Sequence, residues 1–184
     1  MNNIALYHLE EYLFNAVGPI FRRVGKLSAF DFFCIVIWKA NRAKSKVALN
    51  LLSHDQGKRQ DLETIVCDLT TSLHRANDPE ERLRILVMDW GFRLPMATAI
   101  LTVLWPHEFT IYDVHVCDSL HAYHSLQYKS GFKKLWTGYL RFKAEVEAKT
   151  PSSLSLRDKD RHLWGKSFKK QLKSDIKALF SKMT

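Results

Sequence analysis

The chain has 184 residues and a formal net charge of +9, from 28 Lys and Arg against 19 Asp and Glu. At 46% hydrophobic residues, with 11 Phe and 5 Trp, it holds enough apolar material for one sizeable domain, or for two helical lobes around a cleft. No apolar run is long enough for a membrane span, the acidic start MNNIALYHLEEYL is unlike a secretory leader, and Cys34, Cys67 and Cys117 lack paired spacing; a reduced cytoplasmic protein is expected, either merely basic or with a polyanionic partner such as DNA, RNA or an acidic membrane surface.

Ile4, Leu6, Leu9, Tyr12, Leu13 and Val17 fall near one helical face, which predicts a helix over 4–17 ended by Gly18-Pro19. Phe21 to Lys26 then reads as a basic link with Arg22 and Arg23 solvated. Ser28 followed by Asp31 predicts a capped helix start, and Phe32 to Ala40 is apolar on nearly all sides, so this helix is expected in the centre. It emerges into Trp38, Lys39, Arg42 and Lys44, an aromatic followed by cations, as in a segment lining a nucleic-acid cleft. The competing reading keeps Trp38 in the core and Lys39 as a solvated cap. A short helix is expected over Val47–Leu52, a break over Ser53–Lys58, and an amphipathic scaffold helix from Asp61 to near Ala76.

Asp78-Pro79-Glu80-Glu81 is a helix start, with Asp as cap, Pro in the first position and acids in the first turn. Leu83, Ile85, Leu86 and Met88 carry this helix to Asp89-Trp90-Gly91-Phe92-Arg93-Leu94-Pro95, a tight hairpin with Gly91 where φ > 0 is needed. A second helix follows through Ala97, Ile100, Leu101, Val103 and Leu104 and stops at Pro106. Its first-turn amides are expected to point outward, ready for a phosphate oxygen. Phe109 to Tyr112 is apolar and extended, and Asp113 follows as the cap of a helix running to about Tyr123. His115, His121 and His124 lack a carboxylate or thiolate to complete a ligand set, so no metal is expected. A basic-aromatic helix is expected over Phe132–Glu147, then a linker at Thr150–Ser153. The last helix starts at Ser155, with Asp158 as its capping partner. Leu156, Leu163, Trp164, Phe168, Leu172, Ile176 and Leu179 form a stripe expected to pack back on the core; an Asp160–Arg161 ion pair anchors the helix, and Lys166, Lys169, Lys170 and Lys173 give it a basic face. The expected fold is all-α, about eight to ten helices in a single domain, with a helix-hairpin-helix over 82–105.

The stretch from Met88 to Cys117 resembles the helix-hairpin-helix DNA glycosylases, the superfamily of endonuclease III and of the adenine, 8-oxoguanine and alkyl-base glycosylases. Trp90-Gly91-Phe92-Arg93 stands at the hairpin, Met96-Ala97-Thr98-Ala99 opens the second helix, and Tyr112-Asp113-Val114-His115 matches the segment that carries the catalytic acid. Arg93 replaces the second hairpin glycine, and Asp89 or Trp90 stands where a proline is usual. Pro95 lies eighteen residues before Asp113, where bifunctional members carry a nucleophilic lysine. The resemblance implies a monofunctional glycosylase that flips a base out of double-stranded DNA and leaves an intact abasic strand, with Asp113 as the acid and Lys39 as a secondary amine candidate. It implies backbone contacts to DNA at Gly91, Phe92, Arg93, Leu94, Met96 and Ala97, joined by Arg42, Lys44 and His115. No cofactor is implied beyond a monovalent cation on the hairpin carbonyls, and no iron–sulfur cluster. Trp38-Lys39 with Arg42, and Asp160-Arg161 with Trp164, are similar to segments of small bacterial relatives of the 8-oxoguanine glycosylases; with Tyr112, and after them Trp90, they are the base-pocket candidates, and 8-oxoguanine is the leading base. A monomer in the nucleoid is expected. The alternative is a helix-hairpin-helix DNA-binding protein without catalysis, in which Asp113 is a cap only.

Overall fold

Side-chain caps start five of the helices. Ser28, Asp61, Asp78 and Asp113 each accept a hydrogen bond from a backbone amide two or three residues on, and the Ser155 hydroxyl accepts from the Asp158 amide at 3.1 Å. The computed structural model describes residues 3–54 and 61–180. The protein is all-helical, with no strand among the described residues. Residues 55–60, most of the expected break after Ser53, lie outside them. The chain divides into two compact units, Met1–Phe109 and Thr110–Thr184.

The first unit is built around its most apolar helix. Its elements are α1 (Asn3–Tyr7), α2 (Leu9–Tyr12), a π-helical turn (Leu13–Val17), α3 (Gly18–Val24), α4 (Ala29–Ala40), a 3-10 turn (Asn41–Ala43), α5 (Lys44–Ser53), α6 (Leu62–Arg75), α7 (Pro79–Arg84), a second π-helical turn (Ile85–Asp89) and α8 (Leu94–Leu104). Every residue of α8 except Pro95 is buried. Its two threonines keep their hydroxyls satisfied inside that core: Thr98 Oγ1 donates to the Leu94 carbonyl at 2.8 Å and Thr102 Oγ1 to that of Thr98 at 2.7 Å. The central place expected for α4 belongs to α8; α4 buries Phe32, Cys34, Ile35 and Val36 but exposes Phe30 and Ile37.

Gly18-Pro19 does not stop the first helical run. The chain stays helical through both residues and ends only at Gly25, in the left-handed conformation at φ 82°. The wider π turn just before Pro19 accommodates a ring that has no amide to donate and would crowd the carbonyl four residues back. Gly18 is there for another reason. A Cβ on it would sit 2.5 Å from the carbonyl oxygen of Val103, so α3 crosses α8 backbone to backbone. Gly18→Ala should destabilise the protein by about 1–3 kcal/mol. Thermal melts of the two proteins check this; an unchanged Tm would mean that the crossing can open without cost. The basic link is also helix: Arg22, expected to be solvated, reaches back and donates to the Leu104 carbonyl at 2.7 Å, capping the end of α8.

The second unit holds α9 (Val114–Leu120), a 3-10 turn (Leu126–Tyr128), α10 (Phe132–Ala148) and α11 (Leu156–Phe180). Its core comes from Tyr112, Val116, Leu120, Leu126, Leu135, Tyr139, Phe142, Val146 and Leu163. Thr110 is latched to α10 by one phenol: Tyr139 Oη accepts from the Thr110 amide at 3.0 Å and donates to the Thr110 carbonyl at 2.8 Å. Burial pushes that phenol well above the ordinary tyrosine range, so it stays protonated and keeps both bonds. The apolar stripe of α11 does not pack back as expected. Leu163 and Ser167 are buried, whereas Trp164, Phe168, Leu172, Ile176 and Leu179 are exposed. The face that α11 turns to α9 is partly polar: Ser119 Oγ donates to the Leu163 carbonyl at 2.6 Å, His115 Nδ1 lies 3.2 Å from Ser167 Oγ, and Gln171 donates to Asp118 at 2.9 Å.

Candidate functional site

The hairpin forms in the first unit by a helix ending and a glycine turn. After the π turn, the Trp90 amide donates to the Ile85 carbonyl at 3.0 Å, Gly91 takes φ 65°, and the Phe92 amide returns to the Leu86 carbonyl at 2.9 Å. This is a left-handed glycine closure widened by the π turn. Phe92 is buried, its ring 6.1 Å from that of Phe32, and anchors the turn in the core. Asn50 of α5, which the sequence did not single out, braces the turn by donating to the Trp90 carbonyl at 2.8 Å. That donor competes with any cation for the Trp90 oxygen. His54 lies tilted against the Trp90 indole, 5.2 Å away.

What the hairpin can offer an anion is narrower than expected. The amides of Met96 and Ala97 both donate to the Arg93 carbonyl, each at 3.0 Å, and Pro95 has no amide. Leu94, Met96 and Ala97 are buried, leaving Gly91 and Arg93 as the exposed members of the set. The Met96 and Ala97 amides, expected to face a phosphate, are thus taken up within the helix, as the Phe92 amide is by the Leu86 carbonyl, and the Arg93 side chain stands exposed beside the turn. Trp38 is half-buried with its ring edge-on to Phe14 at 5.7 Å; Lys39 is half-buried at the end of α4; Arg42 and Lys44 are exposed on the following turns.

In the second unit, Asp113 is half-buried at the start of α9, and its Oδ1 accepts from the His115 amide at 3.0 Å. Tyr112 and Asp160, both expected in a base pocket, are core residues. Tyr112 is 2% exposed, its hydroxyl donates to the Tyr123 carbonyl at 2.7 Å, and its ring meets Phe142 edge-on. Burial raises its phenol pKa, so it remains a donor. Asp160 is 3% exposed and accepts from the Ile111 amide at 3.1 Å, from Thr110 Oγ1 at 3.2 Å and from the Arg157 guanidinium. Asp160 therefore has Arg157 as an ion-pair partner, in addition to the Arg161 pairing that chain order suggests. Arg161 is exposed and pairs with Asp158 at 3.2 Å. These contacts have a common effect: Tyr139 and Asp160 hold Thr110 and Ile111 rigidly, and the chain then delivers Asp113 two residues on.

Beside the acid segment lies an aromatic platform. The His115 imidazole stands 5.1 Å from the Trp164 indole, which stacks on Phe168 at 5.1 Å and 12° between planes; both of the latter rings are exposed, by 40% and 45%. Helical spacing predicts Phe168 in the core, but spacing reports a face and not whether anything covers it. Asp113, His115 and Trp164 are thus neighbours within one unit. The unit that carries them holds 15 Lys and Arg against 7 Asp and Glu, a net +8 of the chain's +9.

His124 Nε2 lies 2.7 Å from Asp118, and among the described residues there is no group of three or more His, Cys, Asp or Glu that could hold a metal ion. Burial pushes the Cys117 thiol up to about 11, so it is an inert thiol at neutral pH. No described helix is long and apolar enough to cross a membrane. Comparisons with protein-family models, with curated proteins and with solved structures gave no match.

Proposed function

We propose that the protein is a monofunctional DNA glycosylase that uses Asp113. The observation that carries this reading is the acid segment itself: a carboxylate at a helix start, on a rigidly held strap, next to His115 and the exposed Trp164–Phe168 pair. Breaking the bond between C1′ and the base nitrogen leaves positive charge on the sugar as the base departs with the electron pair. A carboxylate beside C1′ stabilises that charge and orients a water whose oxygen forms the new bond to C1′; the departing base takes up a proton. An exposed indole gives the flipped base a face to stack on, which offsets part of the unstacking cost of a few kcal/mol. The Gly91–Leu94 turn contributes backbone donors and Arg93 for a phosphate, contacts that position DNA without reading sequence. Pro95 in place of the usual amine is the reason to expect no strand cleavage.

The cap bond from Asp113 to His115 favours a second reading, a helix-hairpin-helix protein that binds DNA without chemistry. A panel of duplexes, each carrying one damaged or modified base, scored for free base by mass spectrometry, tests the two. Release of free base with the strand left intact is the expected result. Binding of every duplex with release from none would hand the case to the non-catalytic reading. Nicked strand without heat, alkali or added amine, together with a borohydride-trapped complex, would contradict the monofunctional assignment. The panel also identifies the base, with 8-oxoguanine, alkylated purines and modified pyrimidines among the duplexes.

A further inference from the structure

The second unit contains a cavity that the glycosylase reading does not use. It lies between the 3-10 turn and α10, opens to solvent, has a volume of about 630 Å³, and is lined by Lys129, Lys133, Lys134 and Arg141 together with Tyr123, Ser125 and Thr137. All four cations are exposed, and none of them makes a salt bridge among the described residues. No carboxylate lines the cavity. Glu145, one turn along α10 from Arg141, is not among the lining residues; its Oε2 accepts from the hydroxyl of Tyr123, which is, at 2.6 Å. Four like charges around one hollow repel one another, and an arrangement of this kind is relieved when an anion enters.

The walls are built, not incidental. Leu126 is buried against α10 at Gly138, where a Cβ would come within 2.4 Å of its side chain, so the 3-10 turn sits directly on the helix. The neighbouring segment is held in an uncommon backbone: His121 and Tyr123 have φ of 55° and 71°. For side chains other than glycine such positions cost energy and persist only where the surroundings impose them. Here Tyr112 imposes the shape by donating to the Tyr123 carbonyl, and Tyr123, which lines the cavity, donates in turn to Glu145.

We propose that this cavity is a phosphate-binding site that takes the backbone of DNA, a second electrostatic contact on the unit that carries Asp113. Lys129, Lys133 and Lys134 would neutralise phosphate oxygens as point charges, Arg141 would offer its forked donors, and Ser125 a hydroxyl. The identity of the polyanion rests on the DNA reading above; the affinity for phosphate oxygens does not.

The test is the salt dependence of binding to an undamaged duplex. Each phosphate neutralised contributes about 0.9 to the slope of log affinity against log salt. The variant K133Q/K134Q/R141Q should lower the slope by about 2–3 and weaken binding at least about tenfold near physiological salt. K133R/K134R should keep the wild-type slope. A variant with the same charge removed outside the cavity, K149Q/K169Q/K173Q, should change it by less than about 1. An unchanged slope in the cavity variant overturns the proposal, as does an equal loss in the control, which would assign the effect to overall charge. Calorimetry with pyrophosphate alone separates the two sources of phosphate: if it binds the cavity and the duplex does not displace it, the ligand is a small phosphorylated molecule and the DNA site is refuted. Base release is scored on the same wild-type preparation. Its absence alongside the expected slope change removes the glycosylase reading and leaves the phosphate site standing.

Discussion

Asp113→Asn should reduce base release by at least about a hundredfold while leaving duplex affinity and folding nearly as they were. The substitution separates the two things that this side chain can do. As the cap of α9, Asp113 accepts from the His115 amide through Oδ1. Asparagine presents the same oxygen and ranks with aspartate at this position, so the cap is retained and stability changes by only a few tenths of a kcal/mol, apart from the lost attraction between a negative charge and the helix start. What asparagine cannot supply is a full negative charge beside a sugar that is becoming positive. Asp113→Ala then serves as the structural control, because it removes charge and cap together at about 1 kcal/mol of stability. The expected pattern is loss of release in both variants, with a lower Tm only in the alanine one. Wild-type release from Asp113→Asn would show that the carboxylate is a cap and nothing more, whatever else in the chain acts on the base.

Much of this arrangement was open to sequence reasoning, and the parts that were not have physical causes. Helix starts were legible because a cap is a local event: Ser28, Asp61, Asp78, Asp113 and Ser155 each bond within three residues of themselves. The hairpin was legible for the same reason, since only glycine takes φ 65° without strain. Three kinds of error came from non-local packing. Gly18-Pro19 has the composition of a helix stop, yet the glycine serves the close crossing with α8 and a π turn makes room for the proline. The α11 stripe has the periodicity of a packed face. Periodicity reports that apolar side chains align, not that another element covers them, and here the covered face is the one with Ser167 and the Leu163 carbonyl. Chain order suggests Arg161 as the partner of Asp160, whereas the helix places Asp160 one turn from Arg157 and against Thr110 and Ile111, about fifty positions earlier. The cationic cavity was only half legible: Lys133, Lys134 and Arg141 recur at helical spacing on α10, but Lys129 and Ser125 join them only because the 3-10 turn seats Leu126 on Gly138.

Asp160 is where the largest loss of stability is expected. Its carboxylate is buried and serves three donors at once: the Ile111 amide, the Thr110 hydroxyl and the Arg157 guanidinium. In Asp160→Asn the negative charge is gone, and an amide group must point either at Arg157 or at Ile111, donor against donor. A guanidinium that is itself largely buried, with a side chain 14% exposed, is left without its counter-charge. Breaking a buried pair from one side costs about 3–5 kcal/mol. In a unit of this size each kcal/mol is worth roughly 4–8 °C in Tm, so this unit should be partly or wholly unfolded well below the melting temperature of the native protein. Hydrogen exchange followed separately over the two units, or the fluorescence of Trp136 and Trp164 during a thermal ramp, would show the loss confined to the second unit. The variant R157M/D160L should recover part of it, because an apolar pair no longer carries an orphaned charge, but not all, because the Ile111 amide still lacks its acceptor. Equal stability in the single and double variants would mean that the backbone contacts, not the ion pair, dominate. The consequence reaches the acid segment through the chain itself: with Thr110 and Ile111 released, Asp113 loses the fixed approach that a positioned carboxylate requires, and base release should fall even at temperatures where α9 and α11 remain helical.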